Sequence, residues 1–492
     1  MKASRWIGST ALAALLAASA FAGEAAVPKR ALNANYTEVY NVVPGTAERF
    51  SELFSKGMFY ARLRSNTFYY QWEEETAKQD DHLISALGGS LIYKSATYGG
   101  FDFGMGLYYS QSFFNEDEDP ISLIKPGKDV LSRFDYANTG NKGMGVLGQA
   151  YIAYNGIPDS RIAVGRQLVE TFYTKSNDTK MIPNTFDGIV LDTAALPGTA
   201  IRLAYLAEEK LRDHTQAHSV LMYGDANSSS DEQPQWSEND DSAMHKGLTY
   251  TALKAVGIAT DSPLITGDLH NNTFKDLKLD ASFYVVPELL SEVMLEANYK
   301  IALGSISVSP GVRYIQQFDN GAGDVGGASY SGKLAGKSGA AGGYKDADSL
   351  DSKMIAARLV GAVGNYKINL GYSKVFDEAD LVTPWRGFPT AGYTRSMARY
   401  NWMADTKSYR IEIVRGANKT GIFTNLFVQA SFLHTDADES KGYYDENYYY
   451  LGFVQNLPML TDLQWRLRLG YNDTEKPDAN NLDSRFEINY LF

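Results

Sequence analysis

The chain ends Ser484-Arg485-Phe486-Glu487-Ile488-Asn489-Tyr490-Leu491-Phe492, and this ending restricts the fold more than any other stretch. Phe486, Ile488, Tyr490 and Phe492 share one face of an extended strand, while Arg485, Glu487 and Asn489 share the other. Large apolar groups in that pattern suit a face turned to lipid, with the polar face turned to a water-filled lumen. Hydrocarbon tolerates no open sheet edge, so the final strand is expected to close a barrel against the first. An amphipathic edge strand of a soluble sheet would show the same residues, so the remainder of the chain has to decide.

Alternation recurs throughout. Phe101, Phe103, Met105, Leu107 and Tyr109 alternate with small or polar residues, as do Val293, Leu295, Ala297, Tyr299, Ile301 and Leu303. Leu463, Trp465, Leu467, Leu469 and Tyr471 alternate with Gln464, Arg466, Arg468, Gly470 and Asn472. Each segment is about as long as a tilted strand needs to cross a bilayer. The connections alternate in length. Tight turns rich in Gly, Pro and Asn fall near residues 98–100, 156–159, 196–198, 304–305, 363–365, 416–418 and 457–459. Long ones fall at 115–143, 168–187, 209–244, 319–350, 377–404, 436–446 and 473–483. Short turns on one side and long loops on the other describe an outer-membrane barrel. The reading is therefore an all-β, transmembrane antiparallel barrel of about 18 strands, with an aqueous channel expected at that size. The strand placed at 246–258 is the one whose Ala and Lys content suits a helix equally well. A soluble propeller or β-helix would need a fixed internal repeat, and none is visible.

The N-terminus supports export. Met1-Lys2-Ala3-Ser4-Arg5 precedes a short apolar run that ends at Ala20-Phe21-Ala22, the pattern of a signal peptide over residues 1–22. That run is shorter than the roughly 20 residues of a spanning helix. Residues 23–56 read as a periplasmic lead-in, and 57–492 as the single barrel. The chain has no cysteine, so an exported protein of this kind must be held by something other than disulfides. Its net charge of -12 argues against nucleic acid as a partner.

Motifs for chemistry are mostly absent. Gly332-Lys333-Leu334-Ala335-Gly336-Lys337-Ser338 resembles a phosphate loop but has Ser331 where the first glycine belongs. His214 and His218 have helical metal-ligand spacing without a third ligand nearby, so no metal or cofactor is assigned. No nucleophile–base constellation stands out. Arginines are more informative. Arg358, Arg410, Arg466, Arg468 and Arg202 all have inward parity, and a lipid-facing arginine at mid-bilayer would cost about 2–4 kcal/mol. Guanidiniums on adjacent wall strands would line a track for anions.

The segment Asn177-Asp178-Thr179-Lys180, Pro183 and Thr185-Phe186-Asp187-Gly188 resembles the third loop of the OprD-type family of substrate-specific outer-membrane porins. Leu53-Phe54-Ser55, followed by Arg62-Leu63-Arg64-Ser65-Asn66-Thr67-Phe68, is similar to that family's first strand. The resemblance implies an 18-stranded barrel whose third and seventh loops fold inward, and basic wall residues that guide carboxylates. It assigns Asp178, Lys180, Pro183, Phe186 and Gly188 to the third constriction loop. The seventh would be 377–404, with Arg386 and Arg395 facing the pore and two prolines stiffening it. Lys180 stands where the family usually has Arg, which loses bidentate pairing. Arg166 has the lipid-facing parity of Ile162 and Val164.

The expected function is passive, selective diffusion of small hydrophilic, carboxylate-bearing solutes across a Gram-negative outer membrane. Expected partners are those solutes, outer-membrane lipids and lipopolysaccharide, and the barrel-assembly machinery, with a homo-oligomer left open. The rivals are a general, weakly selective pore and, from other classes, a barrel enzyme or an adhesin.

Overall fold

The computed structural model describes residues 29–492 apart from 34–37, 77–78, 117–129, 133–134, 137–138, 177–178, 222–243, 391, 398 and 422–423. The signal-peptide segment lies outside the described residues. Eighteen antiparallel strands close into one barrel. In chain order they are β1 (Met58–Trp72), β2 (His82–Lys94), β3 (Phe101–Asn115), β4 (Gly143–Tyr154), β5 (Ser160–Gln167) and β6 (Thr185–Leu196). Next come β7 (Thr199–Lys210), β8 (Leu264–Asn271), β9 (Leu277–Val286), β10 (Leu290–Tyr299, continued by Ile301–Leu303), β11 (Ile306–Asp319) and β12 (Ser352–Val363). The last six are β13 (Tyr366–Val375), β14 (Lys407–Arg415), β15 (Leu426–Asp436), β16 (Glu446–Leu457), β17 (Leu460–Thr474) and β18 (Asn481–Leu491).

Closure is made where the sequence placed it. β18 pairs with β1 from Asn481↔Trp72 to Leu491↔Arg62. The sidedness is inverted relative to a soluble protein. Phe486 and Phe492 are 40% and 55% exposed, while Glu487 and Asn489 are 1% and 0% exposed. Leu63, Leu91, Leu107, Ile152 and Val312 likewise stand exposed on the outer surface. Only lipid makes that arrangement favourable, because water would charge about 25 cal/mol for each Å² of such surface. No helix among the described residues is long and apolar enough to cross a membrane, so the strands do the crossing.

The turns follow from glycine chemistry at two clear positions. Gly304 and Gly364 take φ +64° and +54° in the two-residue links β10–β11 and β12–β13, a region that matches strand twist and excludes most side chains. On the opposite rim most connections are long. L3 is 168–184, L6 is 320–351, L7 is 376–406 and L8 is 437–445.

The strand expected at 246–258 is corrected. Thr249 caps a short helix, α2 (Tyr250–Ala255), by accepting from the Ala252 amide, and the eighth strand is β8 instead. Leu248, Tyr250 and Leu253 are buried under the neighbouring outer loops, so their apolar pattern reports loop packing. At the N-terminus another short helix, α1 (Phe50–Ser55), precedes β1 and sets Phe54 against Phe103 of the outer surface.

Candidate pore and its constriction

L3 and L7 fold into the barrel and meet each other. Trp385 of L7 is 1% exposed and its Nε1 donates to Tyr173 O of L3 at 3.3 Å. Tyr284 of β9 stands between them, 4.9 Å from the Tyr173 ring and 4.7 Å from Trp385, both edge-on. Edge-to-face rings of this kind add about 0.5–1.5 kcal/mol each beyond their buried area. L3 is also pinned to the wall. Asn66 Nδ2 donates to Lys180 O at 3.0 Å, Arg64 Nη1 to Met181 O at 3.3 Å, and Lys210 Nζ to Pro183 O at 3.0 Å.

Between these loops and the β17–β18–β1 wall lies a cavity of about 720 Å³. Its lining carries Lys180 from L3, Arg212, Arg386, Arg395 and Arg399, Lys476 from the last loop, and Arg468 and Arg485 from the wall. Glu446 is the one carboxylate among the described lining residues. Positive charge is therefore concentrated in a place with low-dielectric walls, where a field reaches furthest. Arg395 of L7 is held among aromatic rings. Its guanidinium sits 3.7 Å from the Phe388 ring centre and 5.5 Å from Tyr400, and no carboxylate of the described residues forms an ion pair with it. Burial, together with the neighbouring Arg212, pushes its pKa down to about 10, so it remains charged at neutral pH while poorly hydrated.

The predicted site residues divide. Lys180, Arg386, Arg395 and Arg468 come together around this cavity. Lys180 lies over Phe68 at 4.2 Å, and Arg386 pairs with Asp213 at 3.1 Å. Pro183 is in L3, whereas Phe186 is the second residue of β6 and packs in the lumenal apolar cluster. Asp178 lies outside the described residues. Gly188 is in β6, where an added Cβ would fall 2.1 Å from Tyr205 O.

The other wall arginines face inward as parity requires, but they brace structure. Arg202 pairs with Asp192 at 2.6 Å and donates to Glu170 O at 2.8 Å, holding the foot of L3. Arg358 reaches Asn298 and Glu296 and lies 4.5 Å from the Tyr393 ring of L7. Arg410 pairs with Glu412 and donates to Gly392 O of L7. Arg466 is 1% exposed and donates to Gln464 Oε1 and, at 2.7 Å, to Asn33 O. Arg166 points outward and grips Asp187 with two bonds of 2.7 and 2.5 Å, an external ion pair.

Several functional candidates were not read from the sequence. Arg62 and Arg64 face the lumen and both bond Glu487, at 3.3 and 2.5 Å. Their alternation with Ala61 and Leu63 carried the same signal that marked Arg466 and Arg468. Arg212, Arg399 and Lys476 sit in irregular loops, where parity gives no information. Two places bring metal-ligating side chains together. The His214 and His218 rings touch edge-on at 4.9 Å, and no third ligand joins them among the described residues. Asp377, Asp405 and Asp438 cluster, but the Lys441 ammonium bonds two of them.

No protein-family profile matches the chain, and neither does any curated protein. Solved structures do match in fold. OccK9 (OpdG) of Pseudomonas aeruginosa superposes with TM-score 0.68 at 14% identity, over 89% of this chain and 99% of that one. A BenF-like porin from Pseudomonas fluorescens Pf-5 gives 0.66 at 13% identity, over 89% and 99%. Pseudomonas aeruginosa OpdK, solved with vanillate, gives 0.63 at 13% identity, over 88% and 98%. The chain thus has the fold of the OprD-type outer-membrane porins.

Proposed function

We propose that the protein is a passive outer-membrane porin that favours small solutes carrying a carboxylate. One observation carries the reading: among the described residues, eight cationic side chains and a single carboxylate line the cavity where L3 and L7 narrow the barrel. A solute arriving from outside would exchange part of its hydration for guanidinium contacts, Arg395 first, and then pass the Lys180 and Arg485 side chains. Phe388 and Tyr400 beside Arg395 offer flat apolar surface to the body of such a solute. Vanillate, the compound in the OpdK structure of the same fold, is itself a carboxylate.

The test is single-channel recording in planar bilayers across a salt gradient, with a panel of small acids and their neutral amides. The expected result is anion preference and current block by the acids, both reduced in Arg395→Gln. A cation-selective or unselective wild type would refute the reading. A general diffusion pore is the second reading. It is favoured by the wall arginines Arg202, Arg358 and Arg410, whose charges are matched by Asp192, Glu296 and Glu412.

A further inference from the structure

A short antiparallel ribbon precedes β1: Arg30–Leu32 pairs with Glu38–Tyr40, Arg30 opposite Tyr40. Among the described residues, lumenal side chains of the wall reach this segment. Gln464 Nε2 donates to Leu32 O at 3.0 Å and Arg466 Nη2 to Asn33 O at 2.7 Å. Tyr60 Oη donates to Val42 O at 2.7 Å, and its ring meets Tyr40 edge-on at 4.8 Å. Lys94 Nζ lies 3.5 Å from the centre of the Tyr40 ring. Gln464, Arg466, Tyr60 and Lys94 belong to β17, β1 and β2, so the ribbon lies inside the barrel along that wall. It is internally tied as well. Arg30 is 2% exposed and pairs with Glu38 at 3.4 Å, and Tyr40 Oη donates to Glu38 Oε2 at 2.8 Å.

The ribbon borders open space. A second cavity, about 360 Å³, is lined by Glu38 and Tyr40 on one side and by Lys94, Arg161 and Arg202 on the other, with Glu170 of L3 above. This cavity is smaller and of mixed charge, in contrast to the cationic one bounded by L7. We infer that the N-terminal ribbon is a third constriction element of the pore, which narrows the passage below L3 and sets the charge that a permeating solute meets there. The inference rests on the pore reading above and adds to it a specificity determinant outside the loops.

The chain has no cysteine, so one introduced thiol reports alone. Val39 is 36% exposed between Glu38 and Tyr40, and it makes none of the ribbon's hydrogen bonds through its side chain. Val39→Cys is therefore expected to leave the barrel and its open current unchanged. Anionic methanethiosulfonate ethylsulfonate, added to open single channels, should produce a stepwise loss of anion current. The cationic trimethylammonium analogue, of similar bulk, should produce a smaller loss. Current that stays at the unmodified level with both reagents, after mass spectrometry shows complete labelling, overturns the inference and leaves the porin reading intact. Equal losses with both reagents overturn the charge-setting part. A wild-type barrel that carries no current at all removes the porin reading, and this inference with it.

Discussion

Three outer loops, L6, L7 and L8, meet at one carboxylate, Asp380 of L7, and its removal has a calculable effect. Asp380 is fully buried. Oδ1 accepts from the Ala404 amide at 2.8 Å and from Tyr344 Oη at 2.9 Å. Oδ2 accepts from the Tyr330 amide at 3.0 Å and from Tyr443 Oη at 2.6 Å. Those donors come from L6, L7 and L8, so the side chain joins three outer loops. Asp380→Asn keeps the shape but turns an NH2 toward one of the two oxygen positions. The hydroxyl there can rotate and accept; the backbone amide cannot. One stranded amide costs about 1–3 kcal/mol. Asp380→Ala strands both, about 2–6 kcal/mol, with the upper end reduced if water enters the space. Because the barrel ladder is untouched, this loss should appear as loop opening rather than barrel unfolding. Hydrogen exchange at the Tyr330 and Ala404 amides measures it, with about tenfold faster exchange for each 1.4 kcal/mol. The order should be Ala above Asn above wild type, while the SDS-resistant barrel band is unchanged. Equal exchange in all three, or Asn worse than Ala, would refute the reasoning.

Two further outcomes follow from the loop contacts. Trp385→Ala should remove about 3–5 kcal/mol of local packing where L7 meets L3, and single-channel records should show larger and noisier current; an unchanged conductance would mean that this contact does not set the constriction. Lys345 and Lys441, each 2.8 Å from Asp377, hold that carboxyl below the ordinary carboxylate range. A depressed acid contributes stability that is complete above its unfolded value, about 4, and is lost as pH falls through the lower folded value. Deuterium uptake over 437–445 should therefore rise only in strongly acid buffer, and Lys441→Met should raise it at neutral pH and flatten that acid response.

How far the sequence could be read depends on which physics leaves a trace in it. Membrane strands leave one because lipid and lumen impose opposite polarity on successive residues, and Phe486–Glu487–Ile488 shows it in three letters. β8 left almost none. Its lipid face holds Ile265, Gly267 and Leu269, with Asp268 and His270 on the lumenal face, so the alternation was too shallow to compete with the Leu248, Tyr250 and Leu253 pattern nearby. Parity also fixed which arginines face the lumen, but facing the lumen is not the same as facing a solute. Arg202, Arg358 and Arg410 stand on wall strands, each against a carboxylate, whereas Arg395 stands in L7 against aromatic rings. Those neighbours range from Glu412, the next residue but one after Arg410 on the same strand, to Glu296, on a strand far from Arg358 in the chain. The placement of the N-terminal ribbon is the extreme case, since Leu32 and Gln464 meet across nearly the whole sequence. A polar lumen offers many such partners to any short segment that reaches it, and the choice among them is made by three-dimensional fit. For that reason the charge that a solute would meet in such a lumen depends on these pairings as well as on the number of positive residues.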